Sequence, residues 1–238
     1  MPKKTKKTKK ASAPETVPLR NRCLDTLRGL AITLMVVDHA SDLFFNMNIE
    51  PSNVRMVTRL SMPLFCILMG YFLARSRRVH WERLLQIGAA TVVTNVLFYT
   101  LYGKLEILAS LLVCYVGIVG LKLFFVPLVL APFLFSWDAS QAVFDFPLSI
   151  VAGCVAQGVI LRCGGLRVAI ATGIVLTVAA LVVSEPSRYV LWFVLPATLL
   201  IALGIARPQW HLRGLEWIGR FPLSIYVAQY YLLVLLSR

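Results

Sequence analysis

Leu24-Asp25-Thr26-Leu27-Arg28-Gly29-Leu30-Ala31-Ile32-Thr33-Leu34-Met35-Val36-Val37-Asp38-His39-Ala40-Ser41-Asp42 is the stretch that decides how the chain is read. It has the apolar content of a membrane helix, yet it carries Asp38, His39 and Asp42. With the hydrocarbon beginning near Leu27, a rise of about 1.5 Å per residue places Asp38 and His39 about 16–18 Å deep, near the bilayer middle. A central Asp costs about 2.5–3.5 kcal/mol on insertion scales. Two ionisable side chains at that depth persist only where they face a polar cavity or a partner. They serve either chemistry or a polar tie to a neighbouring helix, and in both cases the ring faces the bundle interior.

Composition extends this reading to the whole chain. Of 238 residues 58% are hydrophobic and only 15% charged, against about half and a quarter in a soluble domain. The apolar residues fall in long runs, approximately Leu27–Phe45, Leu60–Ala74, Leu84–Tyr102, Leu105–Leu121, Leu123–Phe135, Phe146–Leu161, Val168–Val183, Tyr189–Ala206 and Phe221–Ser237. The expected fold class is therefore all-α: a polytopic transmembrane bundle of about nine spans, or eight to ten because several runs are short. Residues 1–18 form a Lys-rich tail too polar to fold, and 19–238 form a single membrane domain.

The net charge of +13 follows topology. If the Lys-rich tail is cytoplasmic and the runs alternate, only Arg55, Arg59, Lys104, Arg188 and Arg238 fall outside. This bias predicts a cytoplasmic N-terminus and argues against nucleic acid as a partner; the tail is read as solvated, with attraction to the anionic headgroups of membrane lipids as its second reading. The five cysteines show no metal-ligand spacing, and no metal site is read.

Histidine is the side chain best suited to proton transfer near neutral pH. Asp42 lies three residues on from His39 and shares its helix face. Asp38 points about 100° away, towards another helix. Spacing leaves open which of the two carboxylates orients the ring. Arg28 precedes His39 by eleven residues, about 20° past three full turns. The two side chains thus share one face about 16.5 Å apart along the axis, with Arg28 at the cytoplasmic rim. A long donor with an anionic head and a reactive tip fits that arrangement, and coenzyme A thioesters are such molecules.

Several segments together resemble a known family. Arg22-Cys-Leu-Asp-Thr-Leu-Arg28-Gly-Leu-Ala-Ile, with ten residues between Arg28 and His39, resembles the start of the acyltransferase-3 superfamily of membrane acyltransferases. Arg59-Leu-Ser-Met-Pro63-Leu-Phe65-Cys-Ile-Leu-Met-Gly70, then Arg75, Arg78, Arg83 and Asn95-Val-Leu-Phe98, looks closer to the TraX branch, the pilin N-acetyltransferases. Trp217-Ile-Gly219-Arg-Phe-Pro-Leu-Ser224-Ile-Tyr226 resembles the last helix of both groups. That helix often carries a His shortly after the Tyr, where this chain has Gln229.

The resemblance implies an acyl-CoA donor, most simply acetyl-CoA, used as a substrate with no permanently bound cofactor. It implies His39 as general base, oriented by Asp38 or Asp42. Arg75, Arg77, Arg78 and Arg83 form a dense basic connection on the predicted inner side, suited to CoA phosphates or to topology alone. Arg59 sits at the opposite mouth and can meet an anionic acceptor. Asn95 can line the cavity or tie two helices. Glu106, at the outer end of its run, is either a second site carboxylate or a surface charge. The acceptor would be a hydroxyl or amine of a glycan or protein at the cell envelope, and the location a bacterial inner membrane. Two other classes stand beside the enzyme: a proton-coupled transporter using Asp38, His39 and Asp42 as a relay, and a non-catalytic assembly partner.

Overall fold

The computed structural model describes residues 20–45, 53–74, 80–120, 142–181 and 187–236. Helix α1 runs unbroken over Arg22–Phe45. Asn21 caps its start: Oδ1 accepts the Leu24 N–H at 3.0 Å, while Nδ2 donates to the Gly204 carbonyl at 3.0 Å. Then follow α2 (Asn53–Thr58), α3 (Ser61–Leu73) and α4 (Trp81–Tyr102). Helix α5 (Ile107–Tyr115) passes into a π-helical turn, Val116–Gly120. The remainder comprises α6 (Leu148–Cys163), α7 (Gly165–Ala179), α8 (Ser187–Trp192), α9 (Val194–Ala206), α10 (Arg213–Arg220) and α11 (Pro222–Leu236).

Among the described residues every regular element is a helix, apart from one isolated bridge between Leu105 and Phe144. The run Leu123–Phe135 lies outside the described residues, and the other apolar runs fall largely on these helices. Met56–Leu73, Trp81–Tyr102 and Arg188–Ala206 are each long and apolar enough to cross a membrane. Helices α10 and α11 make a fourth only as a pair bent by 92°. Helix α1 is longer, at 24 residues, but it carries Arg28, Asp38 and Asp42 within the stretch that would cross. Large apolar side chains such as Leu85, Val92, Val96, Leu181 and Leu235 stand well exposed on the outside. Such a surface suits lipid and would be unusual in water.

Helix α1 packs on α10, α3, α11 and α9, while α3 packs on α6. Two of these contacts are made backbone to backbone through glycine. A Cβ on Gly70 would lie 1.9 Å from the Val155 carbonyl oxygen, and one on Gly158 the same distance from that of Ile67. Gly29 and Gly219 do the same for α1 and α10, where a Cβ would meet Leu215 O at 1.9 Å and Asp25 O at 1.8 Å. Small residues allow this close approach, which gains dispersion and Cα–H···O contacts in place of a hydrophobic driving force that lipid does not supply. Buried Gln157 on α6 ties the far side. Its Nε2 donates to the Ala169 carbonyl at 2.6 Å and to Thr198 Oγ1 at 3.2 Å, and its Oε1 accepts from Thr172 Oγ1 at 2.7 Å.

Helix α10 carries Arg213, Glu216 and Arg220 and turns 92° from α11, so it lies across the end of the bundle where α1 begins. Glu216 there accepts a fork from Arg22 (Nε to Oε2 at 3.1 Å, Nη2 to Oε2 at 2.8 Å) and a further bond from Arg220. Hydrogen bonding to Arg22, aided by Arg220, holds its carboxyl at about 2, below its ordinary 4.5. A depressed carboxyl stabilises the fold above its unfolded pKa and ceases to do so as pH falls through the folded value. The difference in melting temperature between wild type and Glu216→Gln is therefore expected to be constant above about pH 5 and to shrink to nothing towards pH 2. Thermal unfolding in detergent across that range checks it.

Candidate active site

His39 is half-buried, and its ring turns inward to α11. It tilts over Tyr230 at 4.7 Å between ring centroids. Its Nε2 lies 3.1 Å from the Tyr230 hydroxyl, and its Nδ1 lies 3.4 Å from Nε2 of Gln229. The Tyr230 hydroxyl donates to Glu106 Oε1 at 3.4 Å, and the Tyr226 hydroxyl is 3.5 Å away. Phe98 of α4 packs edge-on against Tyr230.

Glu106 is built into α5 as its N-cap. Its Oε2 accepts the Leu108 N–H at 2.8 Å, and its own N–H donates to Asn95 Oδ1 at 2.8 Å. Asn95 Nδ2 in turn donates to the Thr91 carbonyl at 2.8 Å. Glu106 is only 2% exposed, so the surface-charge reading is corrected. The physical reason is the turn before it. Gly103 closes α4 in the left-handed conformation (φ 67°), and Leu105 N donates to the Val143 carbonyl at 2.7 Å. The next helix therefore starts inside the bundle. Its first N–H groups favour a carboxylate there. Asn95 makes a helix-to-helix bond to the Glu106 backbone, the second of the two roles open to it.

Asp38 points to another helix: its Oδ1 accepts from Thr58 Oγ1 of α2 at 2.6 Å. Asp42 is half-buried one turn further on, and Asp38 and Asp42 share a local field with Asp145, Arg59 and Lys104. The Arg59 guanidinium lies 6.0 Å over the Phe146 ring at that mouth. Helices α1, α4, α5 and α11 thus converge on His39, and the carboxylate reached through its Nε2 partner is Glu106.

At the other end of α1, Arg28 Nη1 donates to Asp25 Oδ1 and to the Gly219 carbonyl, both at 3.2 Å. Its guanidinium stacks 4.7 Å over Phe72. Both bonds leave from Nη1, so Nε and Nη2 remain uncommitted among the described residues. Arg83, exposed in the first turn of α4, is near enough to act on the charge of Arg28. Arg75 and Arg78 lie outside the described residues. Since α1 is unbroken, Arg28 and His39 keep their axial separation of about 16.5 Å. A cavity of about 640 Å³ opens beside the start of α1, against Cys23, Thr26, Leu27, Gly204 and Trp210. Neither Arg28 nor His39 is among its walls.

Residues 21–106 match the acyltransferase-3 family model, described as an acyltransferase domain. The match begins at the cap of α1 and ends at the cap of α5. It covers just over a third of the chain and includes every site residue marked from the sequence, from Arg28 to Glu106. It supports the superfamily and does not single out its TraX branch. No curated protein and no solved structure matches the chain.

Gln229 and Tyr230 lie outside the matched window and were not among the site residues read from the sequence. A signal was present: Tyr226, Gln229 and Tyr230 put three polar groups at i, i+3 and i+4 on one face of an otherwise apolar helix.

Proposed function

We propose that this chain is an integral membrane acyltransferase, moving an acyl group, most simply acetyl, from acyl-CoA to a hydroxyl or amine of a glycan or protein. One observation carries the reading: a histidine within the bundle, its ring held by Tyr230 and Gln229, shares one unbroken helix with Arg28 at the rim. The acyltransferase-domain match over the same helix supports it.

His39 takes the proton from the acceptor O–H or N–H as the oxygen or nitrogen attacks the thioester carbonyl. The new C–O or C–N bond forms and the C–S bond breaks. The departing CoA thiolate takes the proton from the imidazolium, leaving an ester or amide, free CoA and neutral His39. Arg28, with Arg75, Arg78 and Arg83, would hold the phosphates, since a guanidinium fork matches their oxygens. Arg59 would meet the acceptor at the other mouth, beside Asp42 and Asp145. The N-terminus would be cytoplasmic and the membrane a bacterial inner one.

Acetyl-CoA binding to the detergent-solubilised protein tests the donor site. Arg28→Ala is expected to raise Kd about tenfold, the effect of one charge-assisted phosphate contact. An unchanged Kd removes Arg28 from the site. Proteoliposomes holding acetyl-CoA on one side separate the enzyme from a carrier. His39-dependent release of CoA supports acyl transfer, whereas pH-driven flux without CoA release supports a proton-coupled transporter built on Asp38, His39 and Asp42.

A further inference from the structure

The hydrogen-bond chain behind His39 determines which ring nitrogen is the base. A tyrosine hydroxyl has one proton to donate and two lone pairs. The Tyr230 proton points to Glu106 Oε1. Taken as a carboxylate at the cap of α5, Glu106 accepts through both oxygens, the second from the Leu108 N–H. A carboxylate only accepts, so it returns no proton to Tyr230. The Tyr230 oxygen that faces His39 Nε2 at 3.1 Å must therefore accept in turn, and Nε2 carries the ring proton. Nδ1 then bears the lone pair, and the Gln229 amide presents N–H to it.

That orientation of Gln229 leaves a mark. Its Oε1 is buried, with the residue 4% exposed, and has no hydrogen-bond partner among the described residues. An orphaned buried amide oxygen is costly to keep. It belongs to the same amide whose Nε2 faces Nδ1, so a nucleophile that takes the place of that N–H at Nδ1 brings hydrogens to both.

We infer that Tyr230 and Glu106 are positioning residues that lock His39 as the Nε2–H tautomer, so that Nδ1 is the base, and that Gln229 Oε1 contacts the incoming acceptor. The catalytic part of this rests on the acyl-transfer reading, while the tautomer itself does not. The chain has three histidines, so His39 is assigned in a ¹⁵N spectrum by the signal lost in His39→Ala. At about pH 8, above the ordinary imidazole range, wild type is expected to show a protonated Nε2 and an unprotonated Nδ1. Glu106→Leu removes the acceptor, so Tyr230 donates to Nε2 and the tautomer flips to Nδ1–H. Glu106→Gln has one carbonyl, which the Leu108 N–H takes at the cap, so its NH2 faces Tyr230 and the same flip is expected with the cap intact.

Tyr230→Phe, which keeps the ring and removes the hydroxyl, should give a mixture of tautomers even if Glu106→Leu fails to fold. In turnover, Tyr230→Phe is expected to lower kcat at least tenfold with little change in KM for acyl-CoA; a wrong tautomer elsewhere costs up to about 10⁴. Adding Glu106→Gln to it should cost little more. Gln229→Leu is expected to raise KM for the acceptor and leave that for acyl-CoA unchanged. An unprotonated Nε2 in the wild type overturns the inference, even in an active enzyme. The expected tautomer in a protein that transfers no acyl group leaves the tautomer standing and refutes the proposed activity.

Discussion

Replacing His39 with alanine is expected to slow acyl transfer by about 10²–10⁴-fold, the usual contribution of a positioned general base. That is about 3–5 kcal/mol of barrier at 1.36 kcal/mol per tenfold. The loss should appear in kcat, with acyl-CoA binding nearly unchanged, because Arg28, the proposed phosphate contact, is about 16.5 Å away along α1. The fold should survive. The ring is half-buried, and Tyr230 keeps its bond to Glu106 and its contact with Tyr226 when the imidazole is gone. The variant should therefore melt close to wild type, and added imidazole should recover part of the rate from the space vacated beside Gln229 and Tyr230. Turnover of purified protein with acetyl-CoA and an envelope extract provides the measurement. A rate within threefold of wild type removes His39 from the chemistry.

The second large effect concerns the backbone seam between α3 and α6. A methyl on Gly158 would stand 1.9 Å from Ile67 O and 2.7 Å from Tyr71 N. Both are main-chain atoms, so no side chain can swing aside and the helices must separate. Overpacking a core costs about 1–3 kcal/mol even where side chains can adjust. Gly158→Ala and Gly70→Ala are expected at or above the top of that range, with a large loss of folded protein on extraction. Gly88 on α4 supplies the control, since a Cβ there meets nothing within 4 Å. Gly88→Ala should be neutral or stabilising, by up to about 1 kcal/mol of helix propensity. Thermal unfolding and size-exclusion profiles in one detergent compare the three. Equal behaviour of Gly158→Ala and Gly88→Ala would show that the close approach does not bear on stability.

What the sequence revealed and what it hid have one cause. Asp38 and His39 stand out because an ionisable side chain deep in an apolar run is costly, and that cost is visible without knowing any neighbour. Helix α1, the run boundaries and the helical class follow from the same local arithmetic. Tyr230 was invisible by this test, because a tyrosine in an apolar helix carries little penalty. Gln229 was read as a departure from a family pattern, not as a partner of His39. Glu106 was left between a site carboxylate and a surface charge, because its burial depends on the turn at Gly103 and on Tyr230, which is 124 residues away. The glycine seams were hidden for the same reason. Gly88 and Gly158 look alike in sequence, and only the helix opposite tells them apart.

The reach of the His39 contacts has a consequence for biosynthesis. His39 lies in the first described helix, and Gln229 lies 190 residues later, in the last described one. Until α11 has been translated and inserted, the imidazole has neither Tyr230 nor Gln229 beside it. A partly inserted chain thus holds a cation-rimmed helix whose imidazole lacks those two contacts. On the proposed acyl-transfer reading, a product truncated before Pro222 should be inert however well its earlier helices insert.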